Sequence, residues 1–147
     1  MRIACITAGA GRMYCGSCLR DNTLASALLD AGQDVVLIPL YTPTRTDESN
    51  VSMPRVFLGG INIYLQHRYR FFRLTPGLLD RLWDSRPLLR LAGRWGMSVD
   101  PSVLGSLTVA TLRGTRGFLK KEIGKLVRFL AELSPDVVNL PNSMLSA

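Results

Sequence analysis

Val35-Val36-Leu37-Ile38 is an unbroken apolar run, entered from Gly32-Gln33-Asp34 and left through Pro39. A strand without polar alternation is buried on both faces. Helices that cross over a parallel sheet supply that double cover. The upstream sequence fits such a crossover. Arg2 to Thr7 reads as a first strand, short and β-rich at Ile3 and Ile6. Ala8 to Cys18 reads as a loop carrying Gly9, Gly11, Gly16 and the small Ser17. A helix is expected from about Leu19 to Ala31, with Leu24, Ala27, Leu28 and Ala31 at helical spacing as its inward stripe. Asp21 falls near the expected start, where a negative charge suits the helix dipole. Gly32 falls just past the end, where a left-handed cap is wanted. Together these segments predict one βαβ unit with a right-handed crossover.

The remainder repeats the alternation less clearly. Tyr41 to Pro54 is polar and turn-rich, and reads as a loop of a length that is more often functional or mobile than merely connecting. Arg55 to Leu58 is expected to be a short third strand, ended by Gly59-Gly60. From Ile61 to about Trp95 the pattern is helical, broken at Pro76-Gly77 and at Pro87. Ser102 to Leu133 is helical again, with a break near Gly114 and Gly117. Its second half is the clearest helix in the chain. Leu119, Ile123, Leu126, Leu130 and Leu133 form one stripe, and Lys120, Lys121, Lys125, Arg128 and Glu132 take the other faces. Ser134-Pro135 stops it, Asp136 to Leu140 reads as a further parallel strand, and Asn142 or Ser143 suits the N-cap of a next helix. The fold class is therefore α/β. A doubly wound sheet usually needs about five or six strands. Only three or four are found here, so the expectation is either a minimal α/β domain or the front part of a longer protein.

Composition narrows the function classes. The chain has 147 residues, one domain's worth, 47% of them hydrophobic and 20% charged, which excludes disordered, collagen-like and disulfide-dense classes. No run of apolar residues is long enough to span a bilayer. No small-residue cleavage site follows the short N-terminal apolar run. With three cysteines, Cys5, Cys15 and Cys18, this favours a reducing cytoplasm. The net charge is +7, and the segment Arg68 to Arg94 holds seven arginines against two acids. Such a patch attracts phosphates or anionic lipid, and it also serves as a solubilising surface; both readings stay open. Phe71, Phe72 and Trp83 beside it could lie on a membrane face. The reading preferred for them is core packing.

Ligands of open parallel sheets sit at the carboxyl ends of strands, where loops meet helix starts. Thr7 to Arg20 is that loop, and its glycines make it a candidate phosphate or sugar cradle. Known fingerprints fit poorly. Gly9 and Gly11 match the first two glycines of the dinucleotide motif, but Tyr14 stands at the third position and no acid ends the second strand. Gly11 and Gly16 have P-loop separation, but Ser17-Cys18 follow where lysine and a hydroxyl residue are needed. Nicotinamide, flavin and nucleotide-hydrolysis roles are disfavoured. Cys15-Gly16-Ser17-Cys18 is a C-x-x-C at an expected helix start, which makes thiol chemistry physically possible. The preferred reading is that two small side chains pack a tight loop. No zinc site is expected, since Cys5 and the single histidine, His67, supply further ligands poorly. A Ser-His-Asp triad fails for the same want of histidine, and His67 is read as a surface residue.

Ile6-Thr7-Ala8-Gly9 and Met13-Tyr14-Cys15-Gly16-Ser17-Cys18-Leu19-Arg20-Asp21-Asn22 resemble the N-terminal domain of family 4 glycosyltransferases, more narrowly a bacterial subgroup with this cysteine-bearing loop. Val36 to Thr46, Phe57 to Leu65 and Pro135 to Leu145 continue the likeness, so that it spans the chain. The resemblance implies the N-terminal half of a GT-B fold: a Rossmann-like parallel sheet flanked by helices, residues 1–147, facing a second, donor-binding domain that these residues do not include. It implies a hexosyltransferase that moves sugar from a nucleotide-diphosphate donor with retention of configuration and without bound metal or other cofactor. Gly9, Gly11, Cys15, Gly16 and Ser17 would then face the donor diphosphate, and Asn139 and Asn142 the acceptor cleft. Where many relatives carry a histidine near that strand end, this chain has none. The paired glutamates and basic donor clamp of the family belong to the second domain, so these residues alone should not turn over. The implied partners are a nucleotide sugar and a glycan, lipid or small-molecule acceptor, not nucleic acid, with peripheral membrane contact through Arg68 to Arg94. The alternative is a small basic binding or thiol-redox module built on Cys15-Gly16-Ser17-Cys18.

Overall fold

The computed structural model describes residues 1–9, 14–58, 109 and 119–141. In chain order the elements are β1 (Arg2–Thr7), α1 (Gly16–Asp30), β2 (Asp34–Pro39), α2 (Lys120–Leu133) and β3 (Val137–Asn139). The three strands form one parallel sheet in the order β2-β1-β3. Ile3 lies beside Val35 on one side and Val137 on the other, and Cys5 lies between Leu37 and Asn139. The chain is α/β, as its sequence predicts.

β1 is central, and all of it after Arg2 is buried. Its pleat divides the core. Ala4 and Ile6 face a cluster with Ile38, Leu40, Phe57, Leu58 and Leu119, against which α2 lays Ile123, Leu126, Phe129, Leu130 and Leu133. Ile3 and Cys5 face the other way, with Leu37 and Ala25 of α1, flanked by Leu28, Val35 and Val51. Each fully buried aliphatic side chain contributes about 1.5–3 kcal/mol relative to exposure. The α2 face, with more and larger members, carries the greater share.

The helix ends follow local chemistry. Gly32 has φ +78, the left-handed cap the sequence predicts; its N–H donates to the Leu29 carbonyl (2.9 Å) and the Gln33 N–H to the Leu28 carbonyl (3.0 Å), which makes the closure a Schellman motif. α2 ends at Ser134, also left-handed at φ 47, whose N–H donates to the Leu130 carbonyl. Arg2 then ties the amino edge of the sheet together. Its Nε meets Asp34 Oδ2 at 2.6 Å, its Nη1 donates to the Leu133 carbonyl at 3.0 Å, and its backbone N–H donates to Asp136 Oδ2 at 2.7 Å. A cation at the end of α2 is also favoured by the helix dipole.

Four expectations are corrected. α1 begins at Gly16, a turn earlier than Leu19, so Asp21 lies beyond the first turn and pairs with Arg20 (2.9 Å) instead of answering the dipole. The inward face of α1 is Cys18, Asp21, Asn22 and Ala25, whereas Leu24, Ala27 and Ala31 are exposed. Arg55 to Leu58 forms no strand. Ser52 makes an isolated parallel bridge with Leu37, and the Leu58 N–H donates to the Leu40 carbonyl at 2.7 Å. With that strand gone, the described sheet has three strands. Finally, Lys125 does not simply face solvent but meets the buried Glu122 at 2.9 Å across one turn of α2.

The Tyr41–Pro54 loop is irregular, as its composition predicts, and it is anchored. Asn22, fully buried on α1, donates through Nδ2 to the Ser49 carbonyl (3.0 Å) and accepts at Oδ1 from the Val51 N–H (3.1 Å). Thr23 Oγ1 donates to Glu48 Oε2, and Asn50 closes the loop on itself through the Thr44 carbonyl and Ser52. The inward face of α1 is polar because it holds a loop as well as a sheet.

Candidate functional site

In the order β2-β1-β3 the chain leaves β1 towards β2 on one side and returns at β3 on the other. The carboxyl end of β1 is therefore a point where the winding changes direction, the place where open α/β sheets take ligands. Thr7 ends β1 there, and the loop to α1 follows.

Gly9 is fixed by two independent constraints. Its φ is +75, and a Cβ at this position would lie 1.8 Å from the Thr42 carbonyl oxygen. The loop after β1 and the loop after β2 therefore touch backbone to backbone, and the pairing runs on past the strands through Leu40 N–H to the Thr7 carbonyl and Tyr41 N–H to the Ala8 carbonyl, both 2.9 Å. Gly16 differs: among the described residues nothing lies within 4 Å of where its Cβ would be. Its open surface lies at the first residue of α1, where unpaired N–H groups and the positive end of the dipole point.

Cys15 is the N-cap, in extended conformation at φ −118, ψ 120. Its Sγ lies 3.0 Å from Ser17 Oγ. The thiol makes no well-formed capping bond, but the amides of Cys18 and Ser17 lie near enough to favour its charged form. The Ser17 hydroxyl, with the Cys18 amide and thiol, holds the Cys15 pKa down to about 7. Cys18 is fully buried one turn on. Burial pushes its thiol up, the Thr7 hydroxyl opposes that, and the neighbouring Cys15 adds to the rise. Both cysteines are free thiols. The expected packing role thus holds for Cys18, while Cys15 stands partly exposed at the helix start.

Three features of this site carry no signal in the sequence pattern. Thr7 is fully buried, and its hydroxyl, beside the Cys18 thiol, forms no hydrogen bond of good geometry among the described residues. An unsatisfied buried hydroxyl costs about 1–3 kcal/mol. Thr44 in the neighbouring loop is buried with its hydroxyl in the same condition. Arg45 places its guanidinium 4.7 Å from the centre of the Tyr14 ring, bringing a cation from the β2 loop to the approach of α1. Only contact between two loops distant in sequence brings these residues together.

Of the remaining expected site residues, Asn139 ends β3 half-buried, with Nδ2 3.9 Å from Cys5 Sγ. Burial pushes the Cys5 thiol up, the Asn139 amide opposing it. Gly11, Asn142, His67 and the whole Arg68 to Arg94 segment lie outside the described residues. Among the described residues no cluster of three metal-ligating side chains occurs, and no helix is long and apolar enough to cross a membrane. A concavity of about 290 Å³ opens beside α2, lined by Arg55, Lys125, Arg128, Phe129 and Glu132. The Arg55 guanidinium covers the Phe57 ring there at 4.7 Å.

No family model, curated protein or solved structure matches this chain.

Proposed function

We propose that the chain is the acceptor-side half of a sugar-transferring enzyme of the family 4 glycosyltransferase kind, a Rossmann-like half of a GT-B fold. The observation that carries the reading is the placement of Gly9 at the carboxyl end of the central parallel strand and of the exposed Gly16 at the start of α1. A nucleotide-diphosphate leaving group gains negative charge as the glycosidic bond breaks. Fixed N–H dipoles aimed at that charge stabilise the transition state without reorganising, often the largest single contribution to such catalysis. The amides at Gly16, Ser17 and Cys18 head a 15-residue helix and supply dipoles of this kind. Arg45 adds a positive charge close by. Asn139, at the end of β3, borders the acceptor side. In this reading the second domain binds the nucleotide sugar and turnover requires both.

The test is binding of UDP- and GDP-sugars to the full-length gene product by calorimetry, with Gly16→Val as the altered protein. Because no described residue lies within 4 Å of the Gly16 Cβ position, the valine side chain is expected to leave the described fold intact, which circular dichroism of the variant checks. The expected result is a loss of affinity of about tenfold or more, equivalent to about 1.4 kcal/mol. Unchanged affinity overturns the role given to this loop.

A further inference from the structure

The sugar-transfer reading places Cys15 in the loop facing the donor but gives neither thiol any chemistry of its own, yet their surroundings differ sharply. Cys15 is partly exposed outside the helix, and Cys18 is buried inside its first turn. Residues three apart at a helix start have Cβ atoms about 5–6 Å apart. A disulfide needs about 3.5–4.5 Å. Closing that gap takes a small movement of Cys15, whose φ and ψ are extended and not helical and whose backbone is tied to the helix through its carbonyl, which accepts from the Leu19 N–H at 2.9 Å.

We propose that Cys15 and Cys18 form a thiol–disulfide exchange pair, in which Cys15, 3.0 Å from the Ser17 hydroxyl, attacks an incoming low-molecular-weight disulfide and the buried Cys18 resolves the product. In the first step the Cys15 thiolate bonds to one sulfur of the incoming disulfide, whose S–S bond breaks. One thiolate leaves and takes a proton. In the second step Cys18 gives its proton to solvent and attacks the Cys15 sulfur. The second small thiol leaves, and a Cys15–Cys18 disulfide remains. The protein loses two electrons and two protons, and the small disulfide is reduced to two thiols.

The surroundings suit each role. The attacking sulfur is stabilised as thiolate by Ser17 and the helix-start amides and is open to solvent. The resolving sulfur is held protonated by burial until the mixed disulfide forms beside it. The buried Thr7 hydroxyl, without a well-made hydrogen bond of its own, stands next to Cys18 and can donate to a thiolate there. This inference does not rest on sugar transfer, since nucleotide binding and disulfide exchange are read separately.

The reduced full-length chain is treated with glutathione disulfide at pH 7, quenched with acid and read by intact mass and peptide mapping. Wild type is expected to lose a pair of hydrogens, mapped to Cys15–Cys18. Cys18→Ser should hold a stable single glutathione adduct on Cys15, and Cys15→Ser should react about tenfold more slowly, its remaining thiols being buried. A first adduct on Cys5 or Cys18, or wild-type adducts that never close to the internal disulfide, overturns the proposal. A measurement on wild type needs no folded variant: alkylation of Cys15 by iodoacetamide should rise with pH through a midpoint near 7 and level off above it. A midpoint at that of a free cysteine overturns it equally.

Discussion

The two helices hold the same sheet by different means. α2 lays an apolar stripe on one face, where Leu119, Ile123, Leu126, Phe129, Leu130 and Leu133 meet Ala4, Ile6, Ile38 and Phe57. α1 covers the other face with Cys18, Ala25 and the fully buried Asn22, and uses Asn22 to hold the loop that leaves β2. Apolar contact is non-directional and scales with area, so α2 sets the stability of the sheet. Hydrogen bonds are directional and gain little net energy, so α1 sets the position of a loop.

This difference predicts graded effects. Leu119→Ala, at a site 1% exposed, should lower the stability measured by urea unfolding by about 3 kcal/mol. The loss should be global, with amide exchange accelerated throughout the sheet. Asn22→Ala should cost about 2 kcal/mol by leaving the Val51 N–H and Ser49 carbonyl without their buried partner. Exchange should accelerate first in residues 44–52, before the strands respond. If the strands respond first, the division between the two faces fails. Thr23→Val removes an exposed hydrogen bond to Glu48 and should change stability by no more than about 0.5 kcal/mol. A larger loss would mean that the loop is held by its surface contacts and not by Asn22.

The same contrast explains how much of the molecule is legible in its sequence. The α2 stripe reads directly, because burial there is apolar and periodic. Gly32 reads directly, because a glycine just past a helix marks a left-handed cap. The inward face of α1 does not, because the periodicity that marks a helix's buried side weighs hydrophobic residues, and here the buried side chains include Asp21 and Asn22. Leu24, Ala27 and Ala31 satisfy the spacing and face solvent. Arg55 to Leu58 misleads for a related reason. Val56, Phe57 and Leu58 are buried as a strand's would be, but they fill the core from an irregular segment under α2. In the candidate site, the glycine loop, Cys15, Gly16 and Ser17 are visible as a motif. The part played by Thr7, Thr42 and Arg45 is not, since it depends on the β2 loop folding back over the β1 loop.

The stacking of Gly9 on the Thr42 carbonyl has a mechanical consequence. With no side chain between them, the two loops have no soft layer to absorb displacement, and a hard-core contact transmits it within a fraction of an ångström. A ligand that shifts the turn after β1 must therefore also shift Thr42, and with it the stretch that leads to Arg45. Any displacement of Gly9 would then be legible at the protein's surface through a segment remote from it in sequence.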